Sequence, residues 1–223
     1  MSKGKRLNQQ RDAPAVSNSE GARRSVSEEL CIATEVVGRL FGIKPDCAGA
    51  AGVLAAIGEA LGHRLRPQPV SVMGREVSTG HSFVMGPKAR ERLTAAQLEG
   101  MEDLLPDKKD TGHLVLISED PQLLLDPNMT QLGTYGIEAP SVVIRLKSAR
   151  PDSGVWEFES GELQLIYILD DDNEALLPRF NKIRDKSRFV ASFVAQGIRA
   201  GASAEVIAAR VAEESTAAAR AET

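Results

Sequence analysis

The chain has 223 residues, 42% of them hydrophobic and 26% charged, and a formal net charge of −4. These values are ordinary for one globular domain with extended ends, and no apolar run approaches the roughly 18 to 20 residues of a membrane span. Two cysteines, Cys31 and Cys47, are too few for a disulfide framework, so we expect free thiols in a reducing compartment.

The N-terminal residues 1–24 differ from the rest of the chain in charge. They contain six basic and two acidic side chains, a net charge of +4, which leaves −8 for the remainder. The segment is rich in Ser, Asn and Gln and is predicted to be a disordered basic tail. An acidic body, and a tail without aromatic side chains to stack on bases, disfavour nucleic acid as a partner. The start of the chain also lacks the apolar core of a secretory signal, so we expect a cytoplasmic protein that does not bind membranes.

Helical patterns occupy the next part of the chain. Residues 25–42 carry apolar side chains at helical spacing behind a serine cap, either Ser25 or Ser27. Asp46 is a start signal for a second helix, whose residues are apolar or small on nearly every side, as in a buried helix. Residues 87–106, bounded by prolines, predict a third and amphipathic helix.

Strand patterns then replace the helical ones. A short strand is predicted at 69–76, and HLVLIS, QLLLD, SVVIRL and ELQLIYILD follow in series with turn residues between them, which predicts a largely antiparallel sheet. The chain turns helical again from about residue 178 and ends in an Ala-rich helix with a thin apolar stripe. The predicted class is α+β, with the buried helix packed on the sheet. We divide the chain into a tail at 1–24, one domain at 25–200 and a C-terminal helix at 201–223, which is a candidate contact for a protein partner.

Cys47 is the first candidate for chemistry, because it directly follows the predicted cap Asp46. In the first turn of a helix, unpaired backbone N–H groups and the helix dipole favour a thiolate. The N–H groups of Cys47 or Ala48 can also hold a developing oxyanion. The neighbouring Asp46 carboxylate opposes a thiolate unless the capping bond turns it away. The alternative is that Cys47 is a small buried hydrophobe, which is also how we interpret Cys31.

His113 and Asp126 stand at the two ends of the stretch HLVLISEDPQLLLD, which predicts a hairpin. A cysteine nucleophile needs a base and a group that orients the base. With Glu119 and Asp120 as a two-residue turn, His113 lies directly opposite Asp126, at a Cβ separation of about 5 Å. A turn one residue longer or shorter would put the two side chains on opposite faces of the sheet.

The remaining histidines and acidic residues fit structural roles. His63 follows a helix end, where its charge suits the dipole, and His81 lies in a loop without a nearby carboxylate in the sequence. The chain has no CxxC, HxxxH or HxH spacing, and the acidic triplet 170–172 lacks the spaced oxygen ligands of a calcium loop. We therefore expect neither a metal ion nor another cofactor, and we interpret the triplet as a solvated strand end.

The order of cysteine, histidine and aspartate resembles that of the transglutaminase-like branch of the papain-like superfamily, which includes the arylamine N-acetyltransferases. The resemblance spans about residues 44–170 and rests on PDCAGAAGVL, GHLVLI and LLLDPNMTQ. It implies a papain-like fold and a catalytic triad of Cys47 as nucleophile, His113 as base and Asp126 as orienting acid, with Gln131 as a supporting residue. The chain also departs from the family, since no aromatic residue follows Cys47. The oxyanion glutamine that papain-type proteases place before their cysteine has no clear counterpart.

The resemblance implies cysteine-dependent acyl transfer or amide hydrolysis, of the peptidase, amidase or transglutaminase type, through a thioester on Cys47. The substrate would be a peptide, a protein or a small amide. Water as the acceptor gives a hydrolase and an amine gives a transferase, and the sequence does not choose between them. One alternative is an inactive transglutaminase-like scaffold that serves as a protein-binding or assembly module. Another is an acetyl-CoA-dependent N-acetyltransferase, which typically has a longer chain and a more aromatic pocket than 4% aromatic residues provide.

Overall fold

A computed structural model describes residues 24–99, 101–103, 112–160 and 162–221. The helices in these ranges are α1 (Val26–Phe41), α2 (Cys47–Leu61), α3 (Pro87–Glu91), α4 (Ala95–Leu98), α5 (Leu177–Lys186), α6 (Arg188–Arg199) and α7 (Ala204–Ala221), with a 3-10 helix at Met129–Tyr135. The strands are β1 (Leu65–Glu76), β2 (Ser82–Met85), β3 (Glu102–Asp103), β4 (His113–Glu119), β5 (Gln122–Asp126), β6 (Val142–Arg145), β7 (Val155–Ser160) and β8 (Leu163–Leu169). The predicted basic tail, apart from Arg24, lies outside the described residues. No helix in the described ranges is long and apolar enough to cross a membrane.

The sheet is built around the long strand β1. Strand β8 pairs with the C-terminal half of β1 along one edge, while β4 and then β2 follow the other edge. Strands β5 and β6 extend the sheet beyond β4, and β7 pairs with β8. Among the described strands every pair is antiparallel except the short contact between β2 and β3. The predicted α+β class with a largely antiparallel sheet is confirmed.

Strand β1 is longer than the strand predicted at 69–76, because it begins at Leu65 and passes through Pro67 and Pro69. Proline lacks the N–H group that a sheet ladder uses, and it is normally confined to strand edges. The N-terminal half of β1 pairs with β4 alone, since its pairing with β8 begins only at Val70. Among the described strands no partner of this half lies opposite β4, and Pro69 uses only its carbonyl oxygen, which accepts a hydrogen bond from Asp170 N at 3.1 Å. The missing N–H groups of the two prolines therefore interrupt no described ladder on that side.

Helix α2 is the buried helix that the sequence predicts. It begins behind Asp46, whose Oδ1 accepts a hydrogen bond from the backbone N–H of Gly49 at 2.9 Å. Helices α1, α5 and α6 surround it together with β4, so most of its side chains are buried. Small residues permit close approaches: a Cβ added at Gly52 would lie 2.8 Å from the carbonyl oxygen of Phe180 in α5. The start of α2 is therefore held between α5 and the sheet.

The prediction of a single helix over residues 87–106 is wrong. The chain forms the short helices α3 and α4 instead, because Thr94 starts a new helix. Its Oγ1 accepts a hydrogen bond from Gln97 N at 3.3 Å, while Gln97 Oε1 accepts one from Thr94 N at 2.9 Å. A cap of this kind has a non-helical backbone, so it interrupts an amphipathic pattern that otherwise continues. Residues 104–111 lie outside the described ranges.

Strands β4 and β5 form the predicted hairpin, but with a different turn. Glu119 pairs with Gln122, so the turn residues are Asp120 and Pro121, and paired residue numbers sum to 119 + 122 = 241 instead of the predicted 239. Side chains alternate between the two faces of a strand. A change of two in the sum of paired residue numbers therefore leaves each side chain on its predicted face. The predicted pairing is wrong, while the predicted shared face of the two strand ends is retained.

Both faces of β4 are covered, which explains its unbroken apolar run. Leu114 and Leu116 pack with the helices, whereas Val115 and Ile117 pack in a second cluster with residues of β1, β2 and β8. A strand buried on both faces reads as continuously hydrophobic. Alternation places His113 on the same face as Val115, at the beginning of β4.

Helix α7 packs on α1 and α6 through its apolar stripe. The side chains that make this contact are buried: Ala204, Ile207, Ala208 and Val211. The following residues 212–217 are exposed. The first part of the apolar stripe is therefore covered within the chain, while a protein partner for the C-terminal helix stays a prediction.

Candidate active site

A pocket of about 180 Å³ opens where the beginnings of α2 and β4 meet the end of β2 and the 3-10 helix. Apolar and small side chains form most of its wall, and its ionisable side chains belong to five residues. The wall consists of Pro45, Asp46, Cys47, Ala48, Met85, Gly112, His113, Gln131, Tyr135, Leu176 and Arg179. Cys47, Ala48, His113 and Gln131, all predicted as site residues, thus share one cavity.

Cys47 occupies the first position of α2, as the sequence predicts, and its side chain is buried except for the pocket side. In this first turn Gly49 N donates to the side chain of Asp46 and Ala50 N donates to its carbonyl oxygen. The N–H groups of Cys47 and Ala48 lie in the part of the helix that has no intrahelical acceptor. Two donors beside the sulfur atom are therefore free to bind an anionic oxygen.

The carboxylate of Asp46 is paired with a cation. From its place next to Cys47 in the sequence, we expected this carboxylate to oppose a thiolate unless the capping bond turns it away. Arg179 in α5 donates from Nε to Asp46 Oδ1 at 2.7 Å and from Nη2 to Oδ2. These hydrogen bonds, more than the cap bond from Gly49, hold the pKa of Asp46 below its ordinary value despite partial burial. The sequence offered no signal for Arg179, because 133 residues separate it from Asp46.

His113 and Asp126 are in contact, although the hairpin register differs from the prediction. His113 Nε2 lies 2.8 Å from Asp126 Oδ2, and both side chains are almost completely buried. In the observed register the two residues are diagonal neighbours instead of direct partners, and long side chains can bridge that distance. The contact survives because the two side chains still share one face of the sheet.

The carboxylate of Asp126 has two further donors. Tyr167 in β8 donates its hydroxyl to Oδ2 at 3.0 Å, and Asn128 N donates to Oδ1 at 3.1 Å. Burial, followed by the charge of Asp126 and the hydrogen bond to it, raises the pKa of Tyr167 well above its ordinary value. Sequence reasoning missed Tyr167, since a tyrosine in an apolar strand is indistinguishable from a core residue.

The surroundings of His113 favour the protonated form of its ring. Burial opposes protonation, but the charge of Asp126 and the hydrogen bond to it, with a smaller contribution from Cys47, raise the pKa of His113 to about 10. Asp126 lies at Nε2, and the ring lines the same pocket as Cys47. Nδ1 is therefore the ring nitrogen that remains for an interaction with Cys47.

Gln131 lies on the Nδ1 side of the ring. Its Nε2 is 3.3 Å from His113 Nδ1 and 3.7 Å from the sulfur of Met85. A primary amide presents a donor at one end and an acceptor at the other, so rotation of the amide suits either protonation state of the ring. Gln131 is thus brought to the site, as the resemblance implies.

Asn128 connects Asp126 with the segment before Cys47. Its Oδ1 accepts a hydrogen bond from Asp46 N at 3.2 Å, and its Nδ2 donates one to Lys44 O at 3.1 Å. The segment before Cys47 is in this way fastened to the end of β5. Sequence reasoning missed Asn128, although its position two residues after Asp126 was a signal, because an asparagine there suits a turn equally well.

The other residues considered from the sequence lie away from the pocket. His63 Nε2 is 2.9 Å from Glu29 Oε2, in keeping with its predicted structural role, and His81 lies between β1 and β2. Asp170, directly after β8, is buried and 3.2 Å from Lys88 Nζ, whereas Asp171 and Asp172 are exposed, so the expectation of a solvated strand end is wrong for Asp170 alone. The described residues include no group of three or more His, Cys, Asp or Glu side chains that could hold a metal ion. Cys31 is an exposed free cysteine on α1, so its interpretation as a small buried hydrophobe is wrong.

None of the known protein families, curated proteins or solved structures with which the chain was compared matches it. The geometry and electrostatics of the pocket are therefore the basis for any proposal about its chemistry.

Proposed function

We propose that this chain is a cysteine-dependent acyltransferase or amide hydrolase of the transglutaminase-like type, which works through a thioester on Cys47. The observation that carries the proposal is the ring of His113, whose Nε2 lies 2.8 Å from Asp126 Oδ2 while the ring lines the same pocket as Cys47. A nucleophile, a base and an orienting acid are in this way connected at one pocket. A cysteine buried only for packing needs neither neighbour.

The raised pKa of His113 implies that the ring holds a proton at neutral pH. In the proposed mechanism Cys47 reacts as a thiolate, and the protonated ring of His113 lies beside it. Asp126 balances the positive charge of the ring and fixes its orientation. The thiolate attacks the carbonyl carbon of an amide or ester, which forms a carbon–sulfur bond and moves the carbonyl electron pair onto oxygen.

The negative oxygen formed in this attack needs hydrogen-bond donors. The backbone N–H groups of Cys47 and Ala48 are next to the sulfur and lack helical acceptors, so they are the proposed oxyanion donors. Gln131 is a third candidate, because its amide lies in the same pocket beside His113. This amide would take the place of the glutamine that papain-type proteases carry before their cysteine.

The remaining steps return the site to its starting state. The oxyanion collapses, the bond to the leaving group breaks, and the leaving nitrogen or oxygen takes the proton from His113. Water or a second amine then attacks the thioester carbon while the ring accepts its proton. The carbon–sulfur bond breaks, and the thiolate of Cys47 is released beside the protonated ring.

The size of the pocket limits the acyl group. Its volume of about 180 Å³ is below the roughly 300 to 1,000 Å³ of cavities that enclose drug-sized ligands. An acyl group with a short side chain fits such a cavity, while the rest of a peptide or protein would remain outside it.

Acylation by p-nitrophenyl acetate tests the proposal. We expect a burst of nitrophenolate and one acetyl group on Cys47, located by mass spectrometry of the intact and digested protein. The variants Cys47→Ala and His113→Gln should lack both signals, and Cys31→Ser, a matched change at the exposed cysteine, should keep them. If wild-type Cys47 is acetylated no faster than Cys31, the chain is not an enzyme of this type, and the inactive scaffold is the better description.

A second acceptor separates hydrolysis from transfer. Glycine amide added to the acetyl-enzyme gives acetylglycine amide if an amine can enter the pocket and attack the thioester. Acetate alone, at an unchanged rate, identifies water as the acceptor.

A further inference from the structure

Arg179 lines the pocket together with Cys47, although nothing in the sequence connects the two residues. It is the third residue of α5, and its guanidinium holds Asp46 by two hydrogen bonds, one of them 2.7 Å long. Two parallel N–H···O bonds between a guanidinium and a carboxylate fix direction as well as distance. The contact thus places one positive charge against the negative charge that lies next to the nucleophile.

Asp46 has two effects on Cys47 that oppose each other. As the helix cap it binds Gly49 N, which stabilises the first turn in which the cysteine lies. As a carboxylate adjacent to Cys47 it disfavours a second negative charge on the sulfur. We propose that Arg179 is a positioning residue that neutralises Asp46, so that the cap can hold α2 without repelling the thiolate of Cys47. The inference rests on the proposed function, because it concerns that thiolate.

The packing of α5 on α2 holds Arg179 in place. Phe180, the next residue, is buried in the core, and its carbonyl oxygen lies against Gly52 of α2. A glycine at this position lets the two helices approach more closely than a side chain would allow. Arg179 is therefore directed to the beginning of α2 by a buried neighbour and not by its own exposed side chain alone.

Among the described residues, few ionisable groups surround Cys47. His113 comes from β4, Tyr135 from the 3-10 helix, and Asp46 and Arg179 form an ion pair. Asp126 lies behind His113, and α1 and α6 contribute no side chain to the described wall of the pocket. Counted over these described groups, two cations face two carboxylates near the sulfur, and loss of Arg179 leaves one cation against two carboxylates.

The alkylation of Cys47 by iodoacetamide measures this balance, because only the thiolate reacts. The rate is followed by mass spectrometry between pH 5.5 and 9, with Cys31 of the same molecule as the internal reference. For Arg179→Gln we expect the rate at Cys47 at pH 6.5 to fall about three- to tenfold and the pH midpoint to rise, a modest effect because the Arg179 side chain is 57% exposed. Asp46→Asn, which keeps a good cap residue, should change the rate in the opposite direction.

The double variant Asp46→Asn/Arg179→Gln decides between an electrostatic and a merely structural role. If Arg179 acts on charge, the rate returns to within about twofold of wild type, because the carboxylate that needed neutralising is gone. If the double variant is as slow as Arg179→Gln, or if Arg179→Gln leaves the midpoint unchanged, the inference is overturned. If circular dichroism shows that Arg179→Gln does not fold, Asp46→Asn alone still tests the inference, because it should raise the alkylation rate of Cys47, and a lower rate would overturn the inference. A wild-type Cys47 that reacts no faster than Cys31 would instead contradict the proposed function.

Discussion

The carbonyl oxygen of Phe180 faces the α-carbon of Gly52 so closely that a Cβ on Gly52 would lie 2.8 Å from it. Backbone of α5 thus rests on backbone of α2 at the point where a side chain would force the helices apart. Since Arg179 precedes Phe180 and binds Asp46, this contact governs the distance between the ion pair and the nucleophile.

Replacement of Gly52 by alanine should therefore disturb the site from a distance. The added methyl group gains up to about 1 kcal/mol of helix propensity, but overpacking against Phe180 costs about 1 to 3 kcal/mol. We expect a lower thermal midpoint and, because α5 carries Arg179 with it, a slower alkylation of Cys47 at pH 6.5. Gly58→Ala is the matched control: the new methyl group there meets the side chain of Leu65, which can move, so the reactivity of Cys47 should not change. Equal effects of the two changes on Cys47 would contradict the special role of the contact with Phe180.

Replacement of Asp126 by asparagine should remove most of the activity. The amide keeps the size of the side chain, but its single oxygen can replace only one of the two carboxylate oxygens that accept from Asn128 N and Tyr167, and it lacks the charge that raises the pKa of His113. The acetylation burst with p-nitrophenyl acetate should fall at least about a hundredfold, as expected for loss of acid–base function. Asp171→Asn, at a carboxylate bound by Arg150 outside the pocket, should stay within about twofold of wild type. A burst that survives in Asp126→Asn would remove the aspartate from the mechanism.

Replacement of Tyr167 by phenylalanine tests the hydroxyl that shares Asp126 Oδ2 with His113. The ring still packs against Phe158, whose centroid lies 6.2 Å away, so packing is preserved. Loss of one hydrogen-bond donor to the buried carboxylate should lower the free energy of unfolding by about 1 to 3 kcal/mol, measured by urea denaturation. With one donor fewer on Oδ2, the pKa of His113 should rise further, which a nuclear magnetic resonance titration of the imidazole can follow. A fall in that pKa would mean that the hydroxyl does not compete for this oxygen.

The pKa of His113 also predicts how stability depends on pH. An unfolded histidine titrates near pH 6.5, while the folded ring keeps its proton to a much higher pH. The stabilisation is complete below pH 6.5 and is lost as the pH rises toward the raised pKa, by about 1.4 kcal/mol per pH unit. In a Cys47→Ala background, which removes titration of that thiol, unfolding free energies of the chain with and without His113→Gln should converge between pH 6.5 and 9. A difference that stays constant over this range would show that the folded ring is neutral.

Local patterns predicted the position of Cys47 at the start of a buried helix, because a cap residue followed by small and apolar residues is contained within a few positions. The approach of His113 to Asp126 was predictable for a similar reason, since strand alternation limits each side chain to one of two faces. The turn at Asp120 and Pro121 changed the pairing by two residues, and an even shift leaves the faces intact. The contact between His113 and Asp126 therefore forms although the predicted register is wrong.

The residues that complete the site were not predictable, because tertiary packing alone brings them together. Tyr167 and Arg179 join the site across 41 and 133 residues, respectively, and no period in the sequence extends so far. The prediction of one helix at 87–106 was wrong because of a local signal: the cap at Thr94 starts a new helix and interrupts the longer amphipathic pattern. Distance in the chain and competition between short signals thus account for most of what was missed.

Asn128 uses all of its polar side-chain atoms and its backbone N–H to join the segment before Cys47 to Asp126. Aspartate cannot donate to Lys44 O, leucine can do neither task, and glutamine is one methylene too long for the same geometry. An evolutionary lineage that preserves this arrangement is therefore constrained to keep an asparagine two positions after the acid. Distant relatives with this arrangement should therefore share the two short motifs Pro-Asp-Cys and Asp-x-Asn, which together are more specific than a single cysteine, histidine and aspartate at unrelated positions.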